Sequence, residues 1–510
     1  MKIKKISISG LFNKYNHFIS LNEDDPITII IGPNGYGKTT ILRLLNDFFE
    51  GNYFGFSTPP FHIFEIIFDE DVSLRIYNNF YILANQCLCD ERYDILLNQG
   101  DLYNDERIFF EYDDLKNPKN WEVYAFDKTG FKKLLMTKRK KNIQPIVKIK
   151  EEIEENVRKL NYLKEYSGHS KVKKIGGFDK LTDDDKKAIK ELYDLIVLQG
   201  KTYQSSRNII EGDPEKIQDE PTLLKEIREK IPVHLIGSQR IINPHDLKGS
   251  TSKSQNKIFD CCSDLVKKIQ NADTSYFGKS LELDQTFAKR VVENFIELKS
   301  KHIDNTYLSN SKETVISILK LLKDKKFDYS MLGLMTQDRT YSYEESSSID
   351  LDKINEIEDI DFQTLNALGL YCYDSLEKLK VYNDLATKLE LFKKIMENLG
   401  ITNFIFTKEN GLEFMSNLTT DLSPDELSSG EQQAVILYYF LIFQVTPNSY
   451  ILIDEPEISW HISWQRLFIP NLLEILKVVP LHFLIATHSP SIIHDRWDLT
   501  VELQGEPSWP

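Results

Sequence analysis

A glycine-rich segment near the start of the sequence has the residue types and spacing that bind phosphate. The segment is Gly32-Pro33-Asn34-Gly35-Tyr36-Gly37-Lys38-Thr39. Glycines let backbone N–H groups turn toward phosphate oxygens, and a helix that begins directly after such a loop points its positive end at the same anion. Lys38 is expected to neutralise the phosphates and Thr39 to bind Mg²⁺. The predicted nucleotide-binding residues of this segment are Gly32, Pro33, Asn34, Gly35, Tyr36, Gly37, Lys38, Thr39 and Thr40.

Two carboxylates follow an apolar run near the other end of the chain. Residues 450–453 form the run, and Asp454 and Glu455 come directly after it. Asp454 is predicted to act on the Mg²⁺ ion, and Glu455 to orient or deprotonate the attacking water. Paired acids also cap ordinary strands, so the presence of the phosphate-binding segment is what favours the catalytic interpretation.

A further segment, roughly 390 residues after Lys38, resembles the signature motif of the ABC-type ATPase superfamily. Its sequence is Leu427-Ser428-Ser429-Gly430-Glu431-Gln432-Gln433. The resemblance implies that this segment caps the γ-phosphate held by the other subunit, so that ATP is bound between two copies of the chain. A helix starting at Ser429 and Gly430 would supply free N–H groups and a favourable dipole for that anion. The residues assigned to ATP on this basis are Ser428, Ser429, Gly430 and Glu431.

The residues around the two carboxylates resemble the OLD-like branch of the same superfamily. The segment is Asp454-Glu455-Pro456-Glu457-Ile458-Ser459-Trp460-His461. The resemblance implies a D-loop at Ser459, Trp460 and His461. That branch often ends its D-loop in Leu-His-Pro, whereas here Trp460 replaces the leucine and Ile462 the proline.

Two more residues take roles from this resemblance. His488 follows the apolar run 482–487, where the superfamily places the switch histidine that senses the γ-phosphate. Gln239, in Gly237-Ser238-Gln239-Arg240, resembles the Q-loop glutamine that contacts Mg²⁺ and the attacking water. The predicted catalytic residues are Lys38, Glu455 and His488. The predicted metal-binding residues are Thr39, Asp454 and Gln239.

Strands and helices must alternate to position these residues. Strands are predicted at 3–9, 27–31, 62–68, 73–77, 80–84, 108–112, 122–126, 233–236, 450–453 and 482–487. Helices are predicted at 39–49, 149–166, 183–198, 429–443 and 463–476. Asn410-Gly411, between two apolar alternations, predicts a β-hairpin. The last hundred residues alternate helix and strand, which predicts a parallel sheet.

The predicted fold class is α/β: an ABC-type P-loop ATPase head, made of a mixed-sheet lobe and a parallel-sheet core, with a large and mainly helical insertion. Residues 1–130 are predicted to form the N-terminal part of the head. The predicted insertions are a charged helical one at 131–230 and a helical one at 246–400. Residues 231–245 contribute the strand that precedes Gln239, and residues 401–510 form the C-terminal part of the head.

Composition narrows the class of protein. The 510 residues are 41% hydrophobic and 28% charged, which is typical of a globular chain with a large core. No apolar run is long enough to cross a membrane, and the five cysteines have no zinc spacing, so a reduced cytoplasmic protein is expected. The net charge of −15 disfavours nucleic-acid binding over the whole surface. A local contact with a nucleic-acid backbone through the basic cluster at 138–141 stays possible on this charge. The same cluster is also typical of a solvated helix end or loop.

The architecture resembles the ATPases of the PtuA family, which belong to bacterial Septu and retron defence operons. The resemblance implies antiviral defence, self-assembly around ATP, and an HNH nuclease (PtuB-like) as partner. In retron operons it also implies a reverse transcriptase with its msDNA. Two alternatives stay open: a DNA-repair clamp of the RecF or SMC type, and an ATPase of the PARIS type that holds a Toprim effector.

Overall fold

The computed structural model describes most of the predicted head. The described residues are 1–22, 25–69, 72–78, 93–95, 108–114, 122–127, 130–133, 136–138, 220–237, 253–298, 305–334, 362–416, 420–458, 460–503 and 506–507. Several predicted features lie outside these ranges: Gln239, Ser459, the strand at 80–84, the helices at 149–166 and 183–198, and residues 139–141 of the basic cluster.

Strands are concentrated in residues 3–138 and in the last hundred residues of the chain. The strands are β1 (Ile3–Leu11), β2 (Tyr15–Ser20), β3 (Ile27–Ile31), β4 (Ile63–Phe68), β5 (Val72–Tyr77), β6 (Tyr93–Ile95), β7 (Ile108–Asp114), β8 (Glu122–Asp127), β9 (Gly130–Lys133), β10 (Met136–Lys138), β11 (Val233–Ile236), β12 (Phe404–Thr407), β13 (Gly411–Ser416), β14 (Thr420–Leu422), β15 (Tyr450–Asp454), β16 (His482–Ala486), β17 (Thr500–Glu502) and β18 (Glu506–Pro507).

Helices fill the middle of the chain. The helices are α1 (Lys38–Glu50), α2 (Thr222–Lys230), α3 (Lys253–Leu298), α4 (Asn305–Met331), α5 (Phe362–Leu379), α6 (Asn383–Asn398), α7 (Ser429–Tyr439), α8 (Ile462–Val478) and α9 (Pro490–Ile493). The predicted helix at 429–443 ends earlier, at Tyr439, and the segment Phe440–Gln444 forms a π-helical turn after α7.

The chain divides into two compact units. The first unit contains residues 1–18, 50–228 and 505–510, and the second contains residues 19–49 and 229–504. The predicted division at 130, 230, 245 and 400 stays a prediction.

An eight-stranded sheet organises the first unit. Its strand order is β18-β2-β1-β4-β5-β7-β8-β9, and β4 pairs antiparallel with both β1 and β5. Alternate residues of β4 are buried, namely Phe64, Ile66 and Phe68, as expected for a sheet with one face on a core. The ring of Tyr53 packs on this core, with its centroid 5.2 Å from that of Phe110.

A five-stranded parallel sheet forms the centre of the second unit, which confirms the predicted parallel core. Its order is β11-β15-β16-β3-β17, with each adjacent pair parallel. Every residue of β15 is buried, in agreement with the continuous apolar run that a doubly covered strand requires. Because parallel strands end at the same edge, the segments that follow β3, β15 and β16 meet there.

Helices of the central region belong to this second unit and share its core. Leu265 of α3, Leu319 of α4 and Phe392 of α6 are buried in the same apolar cluster as the strands β15 and β16. The 46-residue helix α3 also contacts α7, because the hydroxyl of Tyr439 donates a hydrogen bond of 2.7 Å to the carboxylate of Asp264. The predicted Asn410-Gly411 hairpin is present, with β12 and β13 antiparallel.

None of the helices in the described ranges combines the length and apolar character that a membrane span needs. Cys261, Cys262 and Cys372 are buried free thiols. Cys87 and Cys89 lie outside the described residues.

Candidate nucleotide-binding site

The phosphate-binding segment forms a loop between β3 and α1. Gly35 and Gly37 have φ angles of +82° and +92°, which are accessible to glycine without strain. Helix α1 begins at Lys38, and its first backbone bond runs from the N–H of Ile41 to the carbonyl of Gly37 at 2.9 Å. The N–H groups of the first turn have no partner within the helix and can bind an anion. The loop geometry therefore fits a nucleotide phosphate.

Lys38 is buried at the centre of the site. Its ammonium group donates hydrogen bonds to the carbonyls of Gly32 at 2.9 Å and Pro33 at 3.4 Å, and it contacts Nε2 of His488. Burial lowers the pKa of Lys38, while the negative charges of Glu455, Asp454 and Glu457 oppose that effect. A phosphate beside this ammonium group would stabilise its charged form.

Asp454, at the end of β15, is hydrogen-bonded to the first turn of α1. The hydroxyl of Thr39 donates to Oδ1 of Asp454 at 3.0 Å. Burial raises the pKa of Asp454, an effect that the Thr39 hydrogen bond opposes and the charge of Glu455 increases. A hydroxyl and a carboxylate at this separation fit Mg²⁺, which commonly takes one or two protein oxygens together with phosphate oxygens and water. Thr39 and Asp454 are thus the residues that would hold the ion.

Glu455 has an unusual backbone conformation. Its φ angle is +50°, in the left-handed region that residues other than glycine rarely occupy, and Pro456 follows it. The N–H of Glu455 donates to the carbonyl of Ala486, in the neighbouring strand β16, at 2.8 Å. Backbone strain of this kind is concentrated at functional sites.

His488 lies beside Glu455 at the same edge of the sheet. Its Nε2 is 4.0 Å from Oε1 of Glu455, and each of the two side chains is 32% exposed. Water can therefore reach both groups. The structure thus brings Lys38, Thr39, Asp454, Glu455 and His488 together, although they come from three separate segments of the chain.

The predicted signature segment begins helix α7, whose first residue is Ser429, as expected. Ser428 is the N-cap, and its hydroxyl accepts a hydrogen bond from the N–H of Glu431. The carboxylate of Glu431 in turn accepts from the N–H of Ser428 at 2.9 Å, which completes a capping box. Ser428 and Ser429 are exposed. That this exposed helix end receives the phosphate bound by a second copy stays a prediction.

The structure describes two residues of the predicted D-loop, one buried and one exposed. Trp460 is buried, and its ring stacks on that of Tyr438 in α7 with a centroid distance of 6.2 Å. His461 is the N-cap of α8, where Nδ1 accepts a hydrogen bond from the N–H of Ser463. Trp460 therefore makes an aromatic contact between the segment that follows β15 and helix α7.

Glu457 is a member of the site that the sequence patterns did not assign. Its carboxylate accepts hydrogen bonds from the two residues that follow β16, Thr487 and His488. Its signal in the sequence is its place in the segment that resembles the OLD-like branch, two positions after Glu455.

Comparisons with known proteins give one family and a set of distant structures. The family model described as AAA ATPase domain matches residues 1–493. No curated protein has a matching sequence. Together with the strand order, the family match confirms the predicted α/β fold of a P-loop ATPase head.

Three of the similar solved structures are heads of Smc. The first, from Pyrococcus furiosus, carries an extended coiled coil and is bound to the C-terminal domain of ScpA; it is 12% identical, covers 99% of this chain and 94% of its own, and has a TM-score of 0.31. A Smc head bound to the C-winged helix domain of ScpA is 10% identical, covers 97% and 91%, and has a TM-score of 0.29. A Smc head with a coiled coil and joint, from Pyrococcus yayanosii, is 12% identical, covers 99% and 96%, and has a TM-score of 0.27.

Proposed function

We propose that this chain binds ATP with Mg²⁺ between two copies of itself and uses ATP hydrolysis to control a separate effector protein. The chain belongs to the AAA ATPase domain family and is an ATPase. The observation that carries the proposal is the convergence of Lys38, Thr39, Asp454, Glu455 and His488 at one edge of the parallel sheet. These residues supply the groups that phosphoryl transfer to water requires.

Each residue has a distinct role in the proposed hydrolysis. Lys38 and the N–H groups at the start of α1 hold the phosphates and neutralise their charge. Glu455 orients the attacking water and accepts its proton, and His488 holds the γ-phosphate from the adjacent strand end. Mg²⁺, when bound by Thr39 and Asp454, supplies positive charge to the phosphate oxygens.

The proposed dimer rests on the exposed start of α7. Ser428 and Ser429 are accessible at a helix end whose dipole attracts anions. A γ-phosphate held by the loop of a second copy would complete the contact, so that ATP joins the two subunits.

The proposed biological role is antiviral defence in the cytoplasm, as an ATPase of the PtuA type. The resemblance of the architecture to that family supports an HNH nuclease as partner and, in a retron operon, a reverse transcriptase with msDNA. The effector would be released or activated when the ATP-bound state changes, a population shift that slow turnover can sustain.

The experiment that tests this role is native mass spectrometry of the tagged protein, expressed with its neighbouring genes and kept in ATP. A complex with a small nuclease, or with a reverse transcriptase and nucleic acid, is the expected result. An ATP-dependent dimer without another protein would favour a DNA clamp of the RecF type. Co-purification of a Toprim protein would favour the PARIS type.

A further inference from the structure

The carboxylate of Glu457 holds the segment that carries His488. Its Oε2 accepts a hydrogen bond from the hydroxyl of Thr487 at 2.8 Å, and its Oε1 accepts one from the backbone N–H of His488 at 3.0 Å. Thr487 is fully buried. The Glu457 carboxylate therefore holds both the side chain of Thr487 and the backbone of His488 by hydrogen bonds.

A second connection holds the other side of the same segment. The hydroxyl of Ser489 donates to Oε1 of Gln465 at 2.8 Å, and the amide of Gln465 donates to the carbonyl of Trp460 at 3.0 Å. The N–H of Ser489 also donates to the hydroxyl of Thr487 at 2.9 Å. His488 thus lies between two residues that are both connected to the segment following β15.

These connections determine where the imidazole of His488 can lie. With its backbone held by Glu457, the ring contacts the ammonium group of Lys38 and lies 4.0 Å from Glu455. A small rotation of this backbone would move the ring away from both groups, and misplacement by about 1 Å is enough to lower a catalytic rate by a large factor.

We propose that Glu457 is a positioning residue of the ATPase, which acts through His488 and keeps its imidazole directed at the γ-phosphate. The inference rests on the proposed site. The Thr487 hydroxyl and the His488 N–H both donate hydrogen bonds to Glu457. An ionised carboxylate has only acceptor atoms and can accept both bonds, whereas the NH₂ group of an amide would face one of the two donors. Hydrogen bonds to an ionised acceptor are also shorter and stronger than neutral ones.

The test is a double-mutant cycle of ATP hydrolysis with Glu457→Gln, His488→Ala and the combination of both. Glu457→Gln is expected to lower kcat by about tenfold, the scale of one hydrogen bond to a charged group, and to change KM for ATP by less than about twofold, the split expected for a group that acts in the transition state. In the His488→Ala background the same substitution should have no further effect, because Glu457 acts only through that ring.

Glu413→Gln is a matched control. The carboxylate of Glu413 also accepts hydrogen bonds from a threonine hydroxyl and a neighbouring residue, Thr407 at 2.7 Å and Asn410 at 2.9 Å, but it lies in the β12–β13 hairpin. Its substitution should leave kcat unchanged.

The outcomes separate the inference from the site assignment. An equal loss of kcat from Glu457→Gln with and without His488, or no loss at all, would overturn the positioning role. A His488→Ala protein with full activity would instead show that the site itself is misassigned. If Glu457→Gln does not fold, Thr487→Val removes one of the two donors while keeping the side-chain shape, and its loss of kcat should depend on His488 in the same way.

Discussion

The hydroxyl of Thr39 donates a hydrogen bond of 3.0 Å to the carboxylate of Asp454, although 415 positions separate the two residues in the chain. Thr39 lies in the first turn of α1, and Asp454 is the last residue of β15. The contact therefore joins the start of α1, directly after the glycine-rich loop, to the end of the strand that Glu455 follows. It places the two protein ligands expected for Mg²⁺ side by side.

Lys38→Ala is expected to weaken ATP binding by at least about tenfold, because it removes the buried ammonium group that neutralises the phosphates. Equilibrium binding of a fluorescent ATP analogue measures the effect. Lys394→Ala is the control, since its ammonium group pairs with Glu474 at the surface. Unchanged affinity in Lys38→Ala would contradict the assignment of the phosphate loop.

Glu455→Gln is expected to bind ATP normally but to hydrolyse it roughly 100-fold more slowly, because an amide cannot accept the proton of the attacking water. The ATP-bound dimer should then accumulate, and size-exclusion chromatography with ATP would detect it. Glu474→Gln changes a carboxylate that contacts Lys394 and Lys477 on the surface, and it should behave as wild type. A wild-type hydrolysis rate in Glu455→Gln would disprove the catalytic role.

Ser429→Arg is expected to leave nucleotide binding within about twofold of wild type and to prevent the ATP-dependent dimer. The residue is exposed at the start of α7, so a larger side chain there should change the free energy of unfolding by only about 0.5 kcal/mol. Analytical ultracentrifugation with and without ATP measures dimerisation. Ser275→Arg, at an exposed position on α3, is the matched control. A dimer that persists in Ser429→Arg would argue against the composite site.

Asp454→Asn is expected to raise the Tm of the nucleotide-free protein by about 1–2 °C at neutral pH and to abolish Mg²⁺-dependent hydrolysis. Burial raises the pKa of Asp454, so the folded protein binds this proton more tightly than the unfolded chain does. The free energy of unfolding therefore falls as the pH rises from the ordinary aspartate pKa, about 3.9, through the raised pKa of the folded state. At higher pH the folded protein keeps this loss of stability, because it buries an ionised carboxylate. Asparagine removes that cost and still accepts the hydrogen bond from Thr39.

Thermal unfolding of both proteins between about pH 4 and about pH 8 tests the sign of this effect. The gain in Tm should shrink toward the acid end, as Asp454 becomes protonated first in the folded and then in the unfolded state. A gain that is independent of pH would show that ionisation of Asp454 does not cause it.

The sequence by itself determined the local parts of the site. The strand at Ile27–Ile31, the glycine loop and the start of α1 follow each other without interruption, and their apolar run, positive φ angles and helix start are local properties. The signature segment likewise begins its helix at Ser429, because Ser428 and Glu431 form a capping box within four residues.

The tertiary structure alone decided which of these parts meet. The strand order β15-β16-β3 brings Asp454 to Thr39 and His488 to Lys38. It also brings the Glu457 carboxylate within hydrogen-bond distance of the backbone N–H of His488. Strand β17 was not predicted from the sequence, because its three residues, Thr500–Glu502, are too few to show a strand pattern. The strand forms through parallel pairing with β3. Pairing between distant strands depends on register and packing, which no local periodicity encodes.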